Sequence, residues 1–585
     1  MSGRTNTQSY TLDEIVKMYL DDYNGMVGDS QNELEVRFGT RGVQQITKID
    51  FDNVIKKLKS LGFTSSNELG VDILKIQSEF IDINTGRTKV SNVRTEIVGG
   101  AIKKFCNTNS LGDLISDNER NVSFTLKTPA KHGANQVYPV NIDNFNFRVS
   151  YSNETNLTTN SPMVKGLLHE WGNNKKNFRL MKRVTFTHPS SPFKIDLSIV
   201  KSSNTNSRKQ SIPVYKFKDS GVVSNNESYE IEIESANNAI IGSLYDKSKG
   251  GTSAKLVSNL KKIVKYVLGG LQGTNYPISY PEMDETKIDY YNLINNTKGV
   301  RKATNRDFCG PSSYTLELKN VQPVNDDSTI PNIRNNYTVT DKADGARKLL
   351  YINNKGKVYF LTTNMNVEFT GAFVSNNKIF NSLLDGEHIL HDKMGKYINL
   401  YTAFDIYYIN NVSVRDKGFV PLKEEDVKVN FRLPILINFI ETLNKDIKSI
   451  TSGDVSLTIT QKTFYMAGDD GSIFGGCKTI LNRIADGLFE YETDGLIFTP
   501  AENAVGSNNS KKAANPVKTT WDYSFKWKPP EFNSIDFLIS FNKQPNGEDT
   551  IGNIFQSGQD MNLTEQLTQY KSLTLRCGFD QRKHG

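Results

Sequence analysis

The chain has few cysteines and no long apolar run. Its four cysteines, Cys106, Cys309, Cys477 and Cys577, lie far apart, and no Cys-x-x-Cys pair occurs. This spacing argues against a zinc site or a disulfide framework and favours a reducing compartment. Residues 1–20 are polar and charged, so no signal peptide is expected, and no apolar stretch is long enough to span a bilayer. We therefore expect a soluble, intracellular protein without a membrane partner.

Two further features are absent. No glycine-rich loop follows a strand as in S-adenosylmethionine methyltransferases, and no internal repeat is found. A length of 585 residues allows about two to four domains. The net charge of +7 and the pI near 8.8 suit a polyanionic partner, although proteins that never bind nucleic acid often have a similar surplus.

One lysine, Lys342, lies at the end of a predicted strand. Tyr337 to Thr340 is apolar and β-branched, and Ala343-Asp-Gly345 is typical of the turn that ends a strand. A lysine there can present its amine to a pocket. The amine is a nucleophile only when unprotonated, so it needs a cationic neighbour such as Arg347, or a metal ion, to lose its proton. The short pattern also occurs by chance, and a surface turn is the other interpretation.

Four later segments share one arrangement, in which strand-like apolar residues accompany a carboxylate or a lysine at the strand end. They are Leu384-Asp-Gly-Glu-His-Ile389, Phe404-Asp-Ile-Tyr407, Thr493-Asp-Gly-Leu-Ile-Phe-Thr-Pro500 and Ser524-Phe-Lys-Trp-Lys-Pro-Pro530. Lys526 and Lys528 are two residues apart, so on a strand both point to the same face. Together with the Lys342 segment, these give five ordered elements that chance explains poorly.

In order and spacing, these segments resemble the motifs of the covalent nucleotidyltransferase superfamily, which contains mRNA capping guanylyltransferases and polynucleotide ligases. The segments at Asp494 and Lys526 resemble the capping branch, since a ligase more typically has Glu-Gly at the place of Asp494-Gly495. The resemblance implies that Lys342 attacks the α-phosphate of GTP, expels pyrophosphate and holds GMP as a phosphoramidate. The diphosphate end of an RNA then accepts the GMP.

The resemblance also implies roles for the surrounding side chains. Phosphoryl transfer needs positioned cations, because negative charge accumulates on the phosphate oxygens. An aromatic ring at position 404 would stack on guanine, although a plain core residue is the other interpretation of Phe404. Glu387 and Asp494 would contact a hard divalent cation or the ribose, and Lys462 would read the guanine edge. The implied substrate-binding set is Arg347, Glu387, Phe404, Lys462, Lys526 and Lys528.

Two segments outside this region alternate acidic and apolar residues. They are Asn32-Glu-Leu-Glu-Val-Arg-Phe38 and Tyr229-Glu-Ile-Glu-Ile-Glu-Ser235. On strands, Glu33 and Glu35 share one face, and so do Glu230, Glu232 and Glu234. Such alternation usually marks the solvent side of an antiparallel strand. Rows of carboxylates repel one another, however, and a shared divalent cation with oxygen ligands, Mg²⁺ or Mn²⁺, would remove that cost.

Basic residues occur between the two acidic segments, each within a β-type run. A closed barrel could direct them inward together, and the strand period would then place Met181, not Lys182, between two arginines. A bore with acids on one wall and bases on another is a poor apolar core, but it suits a metal-bound triphosphate. The basic candidates are Arg94, Lys127, Arg148, Arg179 and Arg183, accompanied by the acids Glu154 and Asp196.

This second arrangement resembles the triphosphate tunnel metalloenzymes, specifically the RNA triphosphatase modules of large DNA-virus and fungal capping systems. The resemblance implies that metal held by the glutamates activates or orients water toward the γ-phosphate of a 5′-triphosphate RNA. The phosphate oxygens would be bound by Arg94, Lys127, Arg179 and Arg183. Arg148 and Glu154 match the family less closely.

Taken in chain order, the two resemblances predict the first two steps of 5′ cap formation, as in the front part of a viral multifunctional capping enzyme. We expect an α+β protein: a triphosphatase tunnel barrel (1–240), a guanylyltransferase domain of antiparallel sheets and helices (241–530), and a partial OB-fold (531–585). The expected cofactor is Mg²⁺ or Mn²⁺. The expected partners are 5′-triphosphate RNA, GTP and a separate methyltransferase, in the host cytoplasm (viral factory) or the virion.

Two alternatives remain open. The chain could be an ATP-dependent polynucleotide ligase with an unrelated acidic-strand domain, or a non-catalytic RNA-binding scaffold. No Arg-x-Asp-Lys-type segment follows Lys528, although the superfamily has one in its final barrel to orient the leaving pyrophosphate. We therefore expect either a longer polypeptide or a second chain to complete that barrel.

Overall fold

The computed structural model describes residues 10–23, 30–39, 45–82, 85–236, 238–246, 252–323, 328–422, 431–450, 457–467, 472–509, 511–547, 549–553 and 569–578. The chain divides into two compact units. One comprises Met1–Leu271 with Asp536–Gly585, and the other Gln272–Ile535. None of the helices in the described ranges is both long and apolar enough to cross a bilayer.

The strands of the first unit build a closed barrel. They are β1 (Ser30–Phe38), β2 (Val71–Ile81), β3 (Thr88–Val98), β4 (Val122–Pro129), β5 (Lys131–His132), β6 (Asn135–Gln136), β7 (Val140–Ile142), β8 (Phe147–Leu157), β9 (Lys176–Phe186), β10 (Phe193–Ser202) and β11 (Ser228–Ser235). Antiparallel pairing runs in the order β1-β11-β10-β9-β2-β3-β4-β8, and β8 pairs back with β1. The predicted antiparallel barrel is therefore confirmed; β7 extends it beside β8, and β5 pairs with β6.

Helices cover the outside of this barrel. They are α1 (Leu12–Asp21), α2 (Lys48–Ser60), α3 (Ala101–Thr108), α4 (Leu111–Asn118), α5 (Pro162–His169), α6 (Asn238–Tyr245) and α7 (Ser253–Gln272). Two of them begin at capping boxes, Thr11 with Glu14 and Thr47 with Asp50, which satisfy backbone N–H groups of the first turn. The apolar faces of α1, α2 and α7 pack on β1, β8, β10 and β11, and those of α3, α4 and α5 on β2, β3 and β4.

Strand alternation decides which side chains enter the bore. On β1, Leu34 and Val36 are fully buried in the apolar cluster under the helices. Because successive strand residues point to opposite faces, the neighbouring Glu33 and Glu35 face the interior of the barrel. The alternation in the sequence thus reflects the two faces of the strand: its apolar residues face the covering helices, and its acidic residues face the polar bore.

The second unit contains two sheets. Its strands are β12 (Ser312–Thr315), β13 (Tyr337–Ala343), β14 (Ala346–Ile352), β15 (Lys357–Thr362), β16 (Val367–Phe373), β17 (Ser382–His391), β18 (Tyr397–Ile409), β19 (Val412–Ser413), β20 (Lys448–Ser449), β21 (Thr458–Gln461), β22 (Thr493–Pro500) and β23 (Thr520–Trp527). One sheet has the order β12-β23-β22-β13; the other has the order β19-β18-β17-β14-β15-β16-β20, with β21 parallel to β18.

The helices of the second unit are α8 (Tyr280–Asn295), α9 (Arg432–Asp446) and α10 (Phe474–Ala485). Each packs on a separate apolar cluster of the sheets, which accounts for the α+β class predicted from the sequence. Beyond residue 530, β24 (Leu538–Phe541) pairs with β27 (Leu573–Arg576), and β25 (Ile551–Asn553) with β26 (Gln569–Lys571). The partial OB-fold stays a prediction, since part of that segment lies outside the described residues.

Candidate active sites in the bore and in a lysine cleft

The two predicted acidic rows lie on neighbouring strands of the barrel. In the β1–β11 register, Glu35 faces Glu234 and Arg37 faces Glu232. Glu33, Glu35 and Glu232 are buried, each less than 10% exposed. The structure therefore brings the carboxylates of both rows together on one wall of the bore.

Basic side chains reach these carboxylates from the other strands. Lys127 on β4 forms ion pairs with Glu33, with Glu35 at 3.1 Å and with Glu154 at 3.1 Å. From β9, Arg179 donates to both Glu230 oxygens at 2.6 and 2.8 Å, and Arg183 contacts Asp196 at 3.1 Å and Glu232 at 2.9 Å. Bases on β9 and β4 thus oppose acids on β1 and β11.

Two predicted arginines behave differently from this pattern. Arg94 on β3 has no ion-pair or hydrogen-bond partner within the described ranges. Arg148 on β8 donates through Nε to Asn141 Oδ1 at 3.0 Å, and no carboxylate in the part of the chain that the structure describes pairs with it. Both arginines therefore lack an ion-pair partner among the described residues, and the charge of each is available for an added anion.

The structure adds three basic residues that the sequence interpretation missed. Arg37 binds Glu35 at 2.9 Å and Glu232 at 2.6 Å, Lys194 binds Glu234 at 2.8 Å, and Lys75 binds Glu96 at 2.7 Å. Arg37 could have been found, since it continues the i, i+2 row of Glu33 and Glu35. Lys194 could have been found in the same way, since it lies two residues before Asp196, whereas Lys75 has no acidic residue at that spacing.

Met181 faces the bore between Arg179 and Arg183, as the strand period predicts. It is buried against Ile73 on β2 and Val200 on β10, which makes a small apolar cluster on the basic side. Its neighbour Lys182 lies near Asp72 at 3.9 Å. The bore-facing row of β9 therefore has two cations and an apolar residue between them.

Burial and neighbouring charges shift the pKa values of two bore glutamates in opposite directions. Burial, reinforced by Glu234, Glu154 and Glu35, raises the pKa of Glu33 to about 7 despite Lys127. Burial also acts to raise the pKa of Glu232, but Arg37 and Arg183 outweigh it and lower this pKa to about 2. The acidic wall thus contains one strongly ionised carboxylate, Glu232, and one that is easily protonated, Glu33.

The bore offers oxygen ligands of the kind that Mg²⁺ and Mn²⁺ prefer. Within the described ranges, however, no three Asp, Glu, His or Cys side chains are close enough together to form a metal site. The carboxylates instead contact Lys127, Arg37 and Arg183. The carboxylate oxygens of the bore are therefore chemically suited to a hard divalent cation. Such a cation would take the place that these bases occupy beside the carboxylates.

Lys342 lies in the second unit, on the wall of a cavity of about 280 Å³. Its strand β13 continues to Ala343, so the lysine stands within the strand, and the turn follows at Asp344 and Gly345. Nζ of Lys342 donates to Asp494 Oδ1 at 2.6 Å, while Lys528 contacts Asp494 Oδ2, also at 2.6 Å. One carboxylate therefore joins the lysine of the first motif to the lysine of the last.

Gly495 is required next to Asp494 because the neighbouring strand approaches its backbone. It pairs with Lys342 across β13 and β22, and an added Cβ would overlap the carbonyl oxygen of Trp527 on β23. The Asp-Gly pair thus holds the carboxylate at the point where three strands meet.

A buried network fixes Arg347 on the opposite sheet. The guanidinium donates to both oxygens of Asp385 at 3.1 and 2.6 Å, and its centre lies 5.4 Å from the Phe404 ring. Tyr407 Oη donates to the same Asp385 at 2.7 Å. Asp385 and Tyr407 stand in the predicted motifs, but the sequence assigned no role to them. Both Arg347 and Phe404 line the cavity.

Lys462 enters the cavity beside Phe404, since its backbone N–H donates to Ala403 at 2.8 Å. Its amine is almost fully buried and binds the carboxylate of Asp341, which also accepts a hydrogen bond from Tyr491 at 3.1 Å. Burial lowers the pKa of Lys462. Lys526 also lines the cavity, is exposed, and has no ion-pair partner among the described residues.

Glu387 gives the cleft a pH dependence that can be measured. Burial raises its pKa to about 7, against the opposing charges of Arg347, Lys462 and Lys342. As pH rises from 4.5 to about 7, the carboxyl ionises in the unfolded chain but stays protonated in the folded one, so its contribution to stability is lost over this interval. We expect the midpoint of thermal unfolding of Glu387→Gln to rise relative to that of wild type as the pH increases from about 5 to about 7.5. A difference that stays constant with pH would contradict this.

The fold thus places a barrel bore lined by paired acids and bases in one unit and a lysine-lined cleft in the other. Residues 278–530 match the family described as "mRNA capping enzyme, catalytic domain". Residues 139–268 match the triphosphatase family described as "mRNA capping enzyme, beta chain". The chain therefore carries a guanylyltransferase domain and a triphosphatase domain of the capping-enzyme type, and the predicted resemblance is confirmed.

Individual relatives agree with these matches. The chain is 27% identical over 569 residues to a probable mRNA-capping enzyme of Acanthamoeba polyphaga mimivirus, covering 92% of this chain and 43% of the relative. It is 26% identical over 291 residues to the mRNA-capping enzyme of Danio rerio, covering 46% of this chain and 42% of the relative. The chain thus spans less than half the length of both relatives.

Among solved structures, the mimivirus capping enzyme triphosphatase matches 44% of this chain and 96% of its own, with 19% identity and a TM-score of 0.28.

Proposed function

We propose that this chain carries out the first two steps of mRNA 5′ cap formation. It would hydrolyse the γ-phosphate of a 5′-triphosphate RNA in the bore, and then transfer GMP from GTP to the diphosphate end through Lys342. The observation that carries this proposal is the cleft, where the Lys342 amine shares Asp494 with Lys528 beside an aromatic ring and a fixed arginine. Residues 1–240 would form the phosphatase domain, 241–530 the transferase and 531–585 a partial OB-fold.

The transferase step follows from the chemistry of an amine. Once deprotonated, Lys342 Nζ attacks the α-phosphorus, a P–N bond forms, and the P–O bond to pyrophosphate breaks. The β-phosphate oxygen of the RNA then attacks the same phosphorus, the P–N bond breaks, and the amine takes up a proton. In the resting contact the amine donates to Asp494 at 2.6 Å. Because Lys528 also neutralises Asp494, this carboxylate keeps a cationic partner when the Lys342 amine moves away from it.

Other side chains of the cleft would hold the nucleotide. Phe404 offers a ring face for guanine, and the adjacent Lys462 lies at the edge of a base stacked there. Arg347 and Lys526 supply positive charge for the ribose and the phosphates, where charge builds up during transfer. Glu387 completes the wall with a carboxyl that can accept from a ribose hydroxyl.

In the bore, the basic side chains would release their carboxylate partners and bind phosphate oxygens instead. Arg94 is already unpaired among the described residues, and Lys127, Arg179 and Arg183 hold ion pairs that a triphosphate could replace. Glu33, Glu35, Glu230, Glu232 and Glu234 would then be left to hold Mg²⁺ or Mn²⁺, with Asp494 doing so in the cleft. When bound, such a cation polarises phosphate oxygens and orients the attacking water.

The wider setting belongs to the same proposal. The substrates would be GTP and 5′-triphosphate RNA, and a methyltransferase domain or subunit would act on the capped product. The viral relative supports the host cytoplasm or the virion as the location.

One experiment compares the three candidate functions. The full chain is incubated with α-labelled GTP or ATP and a divalent cation, and, separately, with γ-labelled triphosphate RNA. We expect a covalent band with GTP only, together with release of labelled phosphate. A band with ATP only would overturn the proposal in favour of a ligase. Neither a band nor phosphate release would favour an RNA-binding scaffold.

A further inference from the structure

The segment Phe308–Pro311 encloses the side chain of Arg347. The Pro311 carbonyl accepts from Nη2 at 3.0 Å, and the Phe308 ring lies 5.6 Å from the guanidinium centre. Phe308 is only 1% exposed, and so is Cys309, whose backbone N–H donates to the hydroxyl of buried Tyr290 at 3.1 Å. The segment is therefore anchored in the core of the second unit while it touches a residue of the nucleotide cavity.

Gly310 explains how the segment can come so close. An added Cβ would lie 2.7 Å from Arg347 Nη2 and closer still to the Asp385 carboxylate. The backbone of Gly310 is not in the left-handed region, so any residue could adopt its conformation. Glycine is needed here because the Arg347–Asp385 pair and the Phe308 ring occupy the space of a side chain.

Phe404 also contacts the guanidinium. Its ring lies 5.4 Å from the centre, so Arg347 is within reach of two aromatic rings. Phe404 also lines the cavity, whereas Phe308 does not. A base stacked on the cavity side of Phe404 would thus rest on a ring that is itself in contact with Arg347.

Two of the three guanidinium nitrogens of Arg347 donate hydrogen bonds to the protein, and one does not. Nε and Nη2 donate to Asp385 and Pro311, whereas Nη1 has no hydrogen-bond partner among the described residues. Arg347 lines the cavity, so this nitrogen is the one that can donate to a bound nucleotide.

We propose that Phe308 and Gly310 are positioning residues of the nucleotide site, which hold Arg347 and, through it, Phe404 in the geometry that binds guanine nucleotide. This inference rests on the function proposed above and extends it to residues that do not touch the substrate. Because the arginine is already held by Asp385, Pro311 and two aromatic rings before ligand enters, little side-chain freedom is lost on binding. Disturbing the segment should therefore weaken nucleotide binding more than it slows the chemistry.

The test uses the full chain with Gly310→Ala and the matched control Gly475→Ala. Gly475 lies in α10, where an added Cβ meets nothing within 4 Å. GTP binding is measured by calorimetry, and the covalent adduct is followed as a function of GTP concentration. We expect Gly310→Ala to weaken GTP binding about tenfold and to raise the half-saturating GTP concentration equally. The adduct rate at saturation should stay within about threefold of wild type, and the control should match wild type.

A double-mutant cycle separates positioning from general damage. In an Arg347→Ala background, Gly310→Ala should have no further effect on GTP binding, because it acts through that arginine. Phe308→Leu, which keeps an apolar side chain of similar burial, should weaken binding in the same way. Additive losses, or a Gly310→Ala variant that binds GTP like the Gly475→Ala control, would overturn the inference. If the wild type binds GTP but forms no adduct, only the transferase proposal fails; if it binds no GTP, both fail.

Discussion

Replacing Lys342 by alanine is expected to abolish the covalent GMP adduct completely. The proposed adduct is a bond to the Lys342 amine, so no neighbouring group can supply it by charge alone. Asp494 keeps Lys528 as a partner at 2.6 Å, and the strand pairing of β13 with β22 does not involve the side chain. The fold should therefore persist. The measurement is a denaturing gel after incubation with α-labelled GTP.

The same Lys342→Ala protein should release γ-phosphate from triphosphate RNA at the wild-type rate, since the described bore residues belong to the first unit and the cleft belongs to the second. A suitable control is Lys378→Ala, which removes an exposed lysine of the same unit. A labelled band that survives in Lys342→Ala would move the nucleophile to another amine, and Lys526 on the cavity wall would then be examined first.

Replacing Glu35 by alanine is expected to have the opposite effect. Glu35 contacts Lys127 at 3.1 Å and Arg37 at 2.9 Å, and it is one of the carboxylates proposed to hold the divalent cation. Its loss removes a negative charge from the acidic wall and frees two bases. We expect phosphate release to fall by about a hundredfold or more, while the GMP adduct forms as in wild type. Glu234→Ala should behave in the same way, because Glu234 lies opposite Glu35 in the strand register.

Two control variants distinguish a loss of activity in Glu35→Ala from a loss of folding. Glu35→Gln keeps the size of the side chain and changes only its charge, so it should lose activity without losing thermal stability. Glu68→Ala removes an exposed glutamate that pairs with Lys59 at 3.0 Å, and it should match wild type. Loss of both activities in Glu35→Ala would show that the two-site interpretation is wrong.

The orientation of the bore residues could be predicted because it follows from the two-residue period of a strand. Glu33 and Glu35 alternate with Leu34 and Val36, and the same period places Met181 inward and Lys182 outward. The ion-pair partners could not be predicted. Glu33 meets Lys127 only because β8 lies between β1 and β4, and β8 pairs with β1 although these two strands are more than a hundred residues apart in sequence.

The cleft shows the same division. The motifs identified Lys342, Arg347 and Phe404, since each carries its chemistry within a short run of residues. They did not identify Asp385 as the partner of Arg347, or Asp341 as the partner of Lys462. The first contact depends on the pairing of β14 with β17, and the second on the approach of the segment after β21 to β13. The motifs also placed the lysine at a turn. The β-bulge between Lys342 and Ala343 instead keeps β13 paired to its last residue.

The closure of the barrel through β1 has a consequence for any shortened form of this protein. A chain that starts after residue 39 would lack the one strand that joins β8 to β11. Both of these would then offer unpaired backbone groups along their length, which is a template for association with other copies. Such a fragment should therefore precipitate or form oligomers.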